Sequence, residues 1–119
     1  MIIHELDIDM CAGGHAPTLR VNEGDTDFGI LIHLYNSSGE FAIQSGTTAK
    51  LFGKKPDHTG YEMPATLSGM DVIVAGTTQL TNAPGRGELE VCLIRGGKKL
   101  FSQNFPVYVE AEADGGQTT

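Results

Sequence analysis

Along most of the chain, apolar and polar residues alternate with period two. Clusters of Gly, Pro, Asn or Asp interrupt the alternation at spacings of roughly ten residues. Successive side chains of a strand face opposite sides, so this pattern describes short strands with one buried and one wet face. No window of a dozen residues repeats its apolar positions with a helical period. An antiparallel all-β domain, a sandwich or barrel, is the expected class.

The alternation assigns faces. Residues 2–10 form a strand with Leu6, Ile8 and Met10 opposite Glu5, Asp7 and Asp9. Residues 18–22 form a short second strand, with Leu19 and Val21 on one side, before a turn at Glu23-Gly24-Asp25. The longest strand spans 26–35 and puts Phe28, Ile30, Ile32 and Leu34 on one face. Asn36-Ser37-Ser38-Gly39 reads as a hairpin turn. Residues 47–55 form a strand in which Ala49 and Leu51 alternate with Lys50 and Phe52, and Pro56 to Gly60 reverse the chain. Residues 61–67 contain Pro64, which removes a ladder donor and marks an edge or irregular strand. Residues 71–75 are a short apolar strand, and 77–85 hold one helical turn stopped by Pro84-Gly85. Residues 87–95 and 98–109 form a terminal hairpin around Gly96-Gly97, its second arm broken or bulged at Pro106. One domain over residues 1–110 is expected, with 111–119 a polar tail or linker stub.

Composition bounds the partners. The 119 residues suit one domain, and 39% are hydrophobic, enough for a modest core. Eight Lys and Arg against 15 Asp and Glu give a formal charge of −7, which repels phosphate backbones and argues against nucleic acid. No apolar run approaches the roughly 18 residues of a membrane span. The N-terminus lacks a basic segment followed by an apolar one, so no secretory signal is expected. Synthesis in a cytoplasm is the expectation.

Cys11 and Cys92 admit two readings, a disulfide between layers or two free thiols. Parity places Cys11 opposite Leu6, Ile8 and Met10, and Cys92 opposite Leu89, Val91 and Leu93. A core-spanning bridge needs both sulfurs inward, so free thiols are expected.

Residue sets that carry chemistry are sparse. His4, His15, His33 and His58 stand in no metal-ligand spacing, and no cofactor or metal is expected. His33 reads as a half-exposed strand residue and His58 as a solvated turn residue. Glu5, Asp7 and Asp9 read as a solvated face that guards an edge, rather than an acid/base pair or a calcium site. No Gly-x-Ser-x-Gly occurs, and Ser45-Gly46 and Ser68-Gly69 are turn dipeptides. Cys11-Ala12-Gly13-Gly14 and Gly85-Arg86-Gly87 match no phosphate-binding loop. The sequon Asn36-Ser37-Ser38 reads as a turn. No nucleophile, base and orienting group recur together, so an enzyme is not expected. Trp is absent, Phe28 and Phe105 read as core, and Tyr35, Tyr61 and Tyr108 are scattered, which weakens a sugar-stacking platform. Lys50, Lys54, Lys55, Arg95, Lys98 and Lys99 hold most of the positive charge. If their two hairpins are neighbours, they form a candidate docking patch for an acidic partner.

Several segments in order resemble a known family. They are Leu6-Asp7, Leu19 to Asp25, Thr47 to Leu51, Lys54-Lys55-Pro56-Asp57, Leu80-Thr81 with Pro84-Gly85, Glu88 to Val91, Leu100 to Phe105 and Val107-Tyr108-Val109. Together they span residues 2 to 110 and resemble the immunoglobulin-like N-terminal domain of phage baseplate upper proteins. That domain also opens tail-fibre and receptor-binding proteins. The family tends to place a glycine directly after Pro56-Asp57, where this chain has His58-Thr59-Gly60.

The resemblance implies an immunoglobulin-like β-sandwich without catalysis. It would attach a following shaft or receptor-binding part to the tail, with other tail or baseplate proteins as partners and the virion as location. It leaves open whether the chain stands alone or opens a longer fibre, and it carries over no catalytic or metal residue. Two rival functions remain: a module that binds host-surface glycans, and an immunoglobulin-like capsid decoration protein.

Overall fold

The structure is a computed structural model, and it describes residues 2–11, 16–36 and 39–111. Its elements are β1 (Ile2–Asp9), β2 (Leu19–Asn22), β3 (Phe28–Asn36), β4 (Gly39–Glu40), β5 (Thr48–Lys54), β6 (Gly60–Ser68), β7 (Asp71–Ala75), α1 (Thr78–Thr81), β8 (Gly85–Arg95), β9 (Lys98–Phe101) and β10 (Phe105–Glu110). Ser37 and Ser38, the Gly13-Gly14 segment, His15 and tail residues 112–119 lie outside the described residues, and Asn36 faces Gly39 across the expected hairpin turn.

The fold is all-β, as the alternation requires. The strands form one sheet in the order β1-β3-β7-β6-β5-β8-β10-β2, with β4 beside β3 and β9 beside β8. This sheet wraps almost into a barrel, and its seam lies between the two end strands, β1 and β2. Two separate antiparallel layers were expected, and the structure corrects this in two ways.

First, β6 belongs to both halves. Its residues 60–65 pair with β5, and its residues 66–68 pair with β7. Pro64 sits in the first stretch opposite Lys50, where β6 has a neighbour on one side only, so its missing donor is tolerated. Second, the sheet is mixed. β1 runs parallel to β3, from Ile2 beside Phe28 to Asp9 beside Tyr35. β2 runs parallel to β10, with Leu19 beside Val107. The chain crosses from β1 to the far half for β2 and returns for β3. A strand regained after such a crossover lies parallel to the first.

The inward sets meet inside this wrapped sheet. Ile8, Ile32, Leu51, Met63, Val72, Val91 and Phe105 are all 0% exposed. Phe28, Ile30, Ile32 and Leu34 are all buried, as their shared face demands. The helical turn α1 pins the β2–β3 turn: Thr81 Oγ1 donates to the Asp25 carbonyl at 2.8 Å, and Gly24 N donates to the Thr81 carbonyl at 3.0 Å.

The terminal hairpin breaks at 102–104 rather than at Pro106. Cys92 faces Phe101 and Leu89 faces Phe105, so three steps on β8 match four on its partner. The extra residue is a β-bulge. Ser102 builds it: Ser102 N donates to the Val91 carbonyl, while Ser102 Oγ accepts from Val91 N and donates to the Gln103 carbonyl, each at 2.9 Å. Pro106 keeps its place opposite Glu88. Its nitrogen points to the same side as the Glu110 carbonyl, which accepts from Glu23 N, and there β2 pairing begins only at Val107.

Candidate docking surfaces

The register of β5, β8 and β9 decides where the six cations lie. Lys54 faces Glu88, Lys50 faces Cys92, Lys99 faces Ile94 and Lys98 faces Arg95. From Glu88 to Arg95 is seven steps, or about 23 Å along β8. The six therefore fall into two groups instead of one patch. Lys54 and Lys55 sit with His58 and Arg86 around a recess of about 360 Å³. Arg95, Lys98 and Lys99 rim a groove of about 220 Å³ floored by Phe41, Ile43, Leu93 and Leu100. Lys50 stands between them and pairs with Glu62 at 3.2 Å, both exposed. At physiological salt the screening length is about 8 Å, so the two groups act on a partner independently.

The second group is held in shape. Arg95 Nε donates to the Ser45 carbonyl at 3.2 Å. Next to it, Phe52 and Phe101 pack with ring centroids 5.8 Å apart, and Phe101 is 40% exposed. The sequence reading passed over this aromatic pair, because its two members come from strands whose adjacency only the fold reveals. Cys92, on the same outward face between Lys50 and Phe101, is fully buried. Burial pushes its thiol up. Cys11 is exposed and both thiols are free, as parity required.

The outer face of β1, β3 and β7 is acidic. Asp7, His33 and Asp71 form one cross-strand row. His33 Nδ1 lies 2.7 Å from Asp71 Oδ1, and its Nε2 lies 3.4 Å from Glu5 Oε2. The hydrogen bond to Asp71, aided by Glu5, raises the His33 pKa above its usual 6.5. His33 is thus a partly exposed strand residue locked between carboxylates. Among the described residues, no group of three or more His, Cys, Asp or Glu side chains is placed to hold a metal ion. No helix among them is long and apolar enough to cross a membrane.

At the seam, a cleft of about 460 Å³ opens between the start of β1, at Ile2 and His4, and β2, at Arg20 and Asn22. Arg20 stacks over the Tyr108 ring at 5.3 Å, which occupies the most exposed of the three tyrosines. Tyr61 turns inward and is partly buried, and Phe28 and Phe105 are core.

No family model matches the sequence, and no curated protein matches it. Among solved structures, the chain is similar to the N-terminal domain of phage TP901-1 ORF48. The match has a TM-score of 0.73 at 12% identity and covers 92% of this chain and 99% of that one. At that identity the likeness is one of fold.

Proposed function

We propose that this chain is a non-enzymatic structural module of a phage tail or baseplate, an immunoglobulin-like relative that docks a fibre or receptor-binding part to the tail. One observation carries the reading: the fold agrees nearly end to end with an N-terminal domain of a phage protein. The ordered segments from Leu6-Asp7 to Val107-Tyr108-Val109 support it independently. The surface suits such a role. It offers two separated cation groups and an aromatic pair exposed at Phe101, a mix that favours specific protein contact. Repetition by virion symmetry would strengthen each weak contact through multivalency.

Antibody labelling of purified phage particles, read by electron microscopy, tests the proposal. Label at the tail tip supports it. Label on the head would replace it with capsid decoration, and absence from particles would remove the structural role altogether.

A further inference from the structure

Among the described residues, β1 and β9 each present an open side, as do β2, β4 and the first stretch of β6. β1 ends the sheet path, and β9 pairs only with β8. The direction of their backbone groups can be read from hydrogen bonds already formed. Ile2 N and Met10 N donate toward β3, to the carbonyls of Asp27 and Tyr35, whereas Asp9 turns its N–H and carbonyl the other way, to Gln103. Alternation then points the N–H and carbonyl of Ile3, Glu5 and Asp7 to the open side of β1. On the other strand, Ser102 N donates toward β8, and Gln103 N donates away from it. Lys99 and Phe101 therefore turn their backbone groups to the open side of β9.

The side chains on these two edges are complementary. In an antiparallel register, Ile3 would face Phe101 and Glu5 would face Lys99. Ile3 is 51% exposed and Phe101 40% exposed, so the first pair covers two uncovered apolar side chains. Glu5 and Lys99 are both exposed and opposite in charge. All four lie on the outer face of their strands, and their backbone groups point at each other in the same register. Within one molecule β1 meets the β9–β10 arm where Asp9 bonds to Gln103, and β2 takes the side of β10 beyond it.

We infer that β1 of one copy pairs edge to edge with β9 of a second copy, Ile3 against Phe101 and Glu5 against Lys99, extending the sheet between molecules. The recognition is strand addition, with main-chain bonds giving affinity and the alternating side chains fixing register. Engaged reciprocally, the two patches close a two-fold dimer; engaged one at a time, they run head to tail into a ring or an open row. It stands on geometry and charge, independent of the phage reading.

Sedimentation of the full chain over a range of concentrations tests it. The wild type is expected to self-associate, and hydrogen exchange is expected to slow at Ile3, Glu5, Lys99 and Phe101 as concentration rises. Lys99→Glu and Glu5→Lys should each weaken association at least tenfold, and the double variant should restore it. Lys99→Pro removes an N–H that no ladder among the described residues uses, so it should abolish association while circular dichroism and Tm stay near wild type. A chain that stays monomeric at every concentration would overturn the inference and leave Lys98 and Lys99 as edge guards. Association that ignores the charge swap and Lys99→Pro would place the contact elsewhere.

Discussion

Gln103 and Asp9 hold each other by two hydrogen bonds across 94 residues of sequence: Asp9 N donates to Gln103 Oε1, and Gln103 N donates to the Asp9 carbonyl, each at 2.9 Å. The bulge at 102–104 aims Gln103 at the end of β1, so one extra residue in the last hairpin fastens the first strand to the β9–β10 arm.

Gln103→Ala leaves Asp9 N without its acceptor in a partly buried place. The expected cost is about 1–3 kcal/mol, or a Tm lower by at least about 4 °C in a domain this size. Asn104→Ala, at the exposed neighbour, should change Tm little. Thermal melts of the two variants decide the point, and equal losses would mean that the bulge, not the bond, matters.

Gly53 and Tyr61 are direct cross-strand partners, and a Cβ at Gly53 would run into the Tyr61 ring. Burial pushes the Tyr61 phenol up to about 12. The folded state thus favours the neutral phenol, and this contribution is complete below pH 10 and lost as pH rises toward 12. Alkaline absorbance titration should show one of the three tyrosines ionising late. Gly53→Ala should destabilise by about 1–3 kcal/mol and bring that tyrosine back toward 10. An unchanged titration would separate Tyr61 from Gly53.

The His33 pKa is raised by Asp71 and Glu5, so folding favours its protonated form. The stabilisation is fully present below pH 6.5 and is lost as pH climbs through the raised value. Wild-type Tm should therefore fall over that interval more than the Tm of His33→Gln. The difference will be modest, because the groups are solvent-exposed and screened. Parallel pH dependences for the two proteins would contradict the role given to this row.

A thiol reagent should modify one cysteine per native chain quickly, Cys11, and reach Cys92 only on unfolding. Peptide mapping of the modified chain reads this directly. Fast labelling at Cys92 would mean that β9 parts readily from β8 at the Cys92–Phe101 pair.

Strand faces were legible in the sequence because parity is a local property. The burial of Leu6, Ile8, Val21, Ile30 and Leu89, the outward turn of Cys92 and the single turn α1 all follow from spacing. Pairing was not legible. Nothing local in Ile2–Asp9 tells it to lie parallel to β3, and β6 changes neighbours within one unbroken strand. Pro106 drew attention as the conspicuous breaker, yet the break came from Ser102, whose hydroxyl substitutes for backbone groups. The cations looked contiguous because their hairpins are neighbours, but separation along a strand depends on register, which alternation leaves open.

The pairing of Leu19 with Val107 has a consequence for biosynthesis. A ribosome must release almost the whole domain before β2 gains β10, its ladder partner among the described residues. A nascent chain halted before β10 would expose Leu19 and Val21, leave Gly85–Gly87 of β8 unpaired and hold Glu88 and Leu89 on the β5 side alone. Such contacts between distant parts of the sequence make folding slow, so this domain cannot close until β10 has left the ribosome, and chaperones have their longest access to it just before closure.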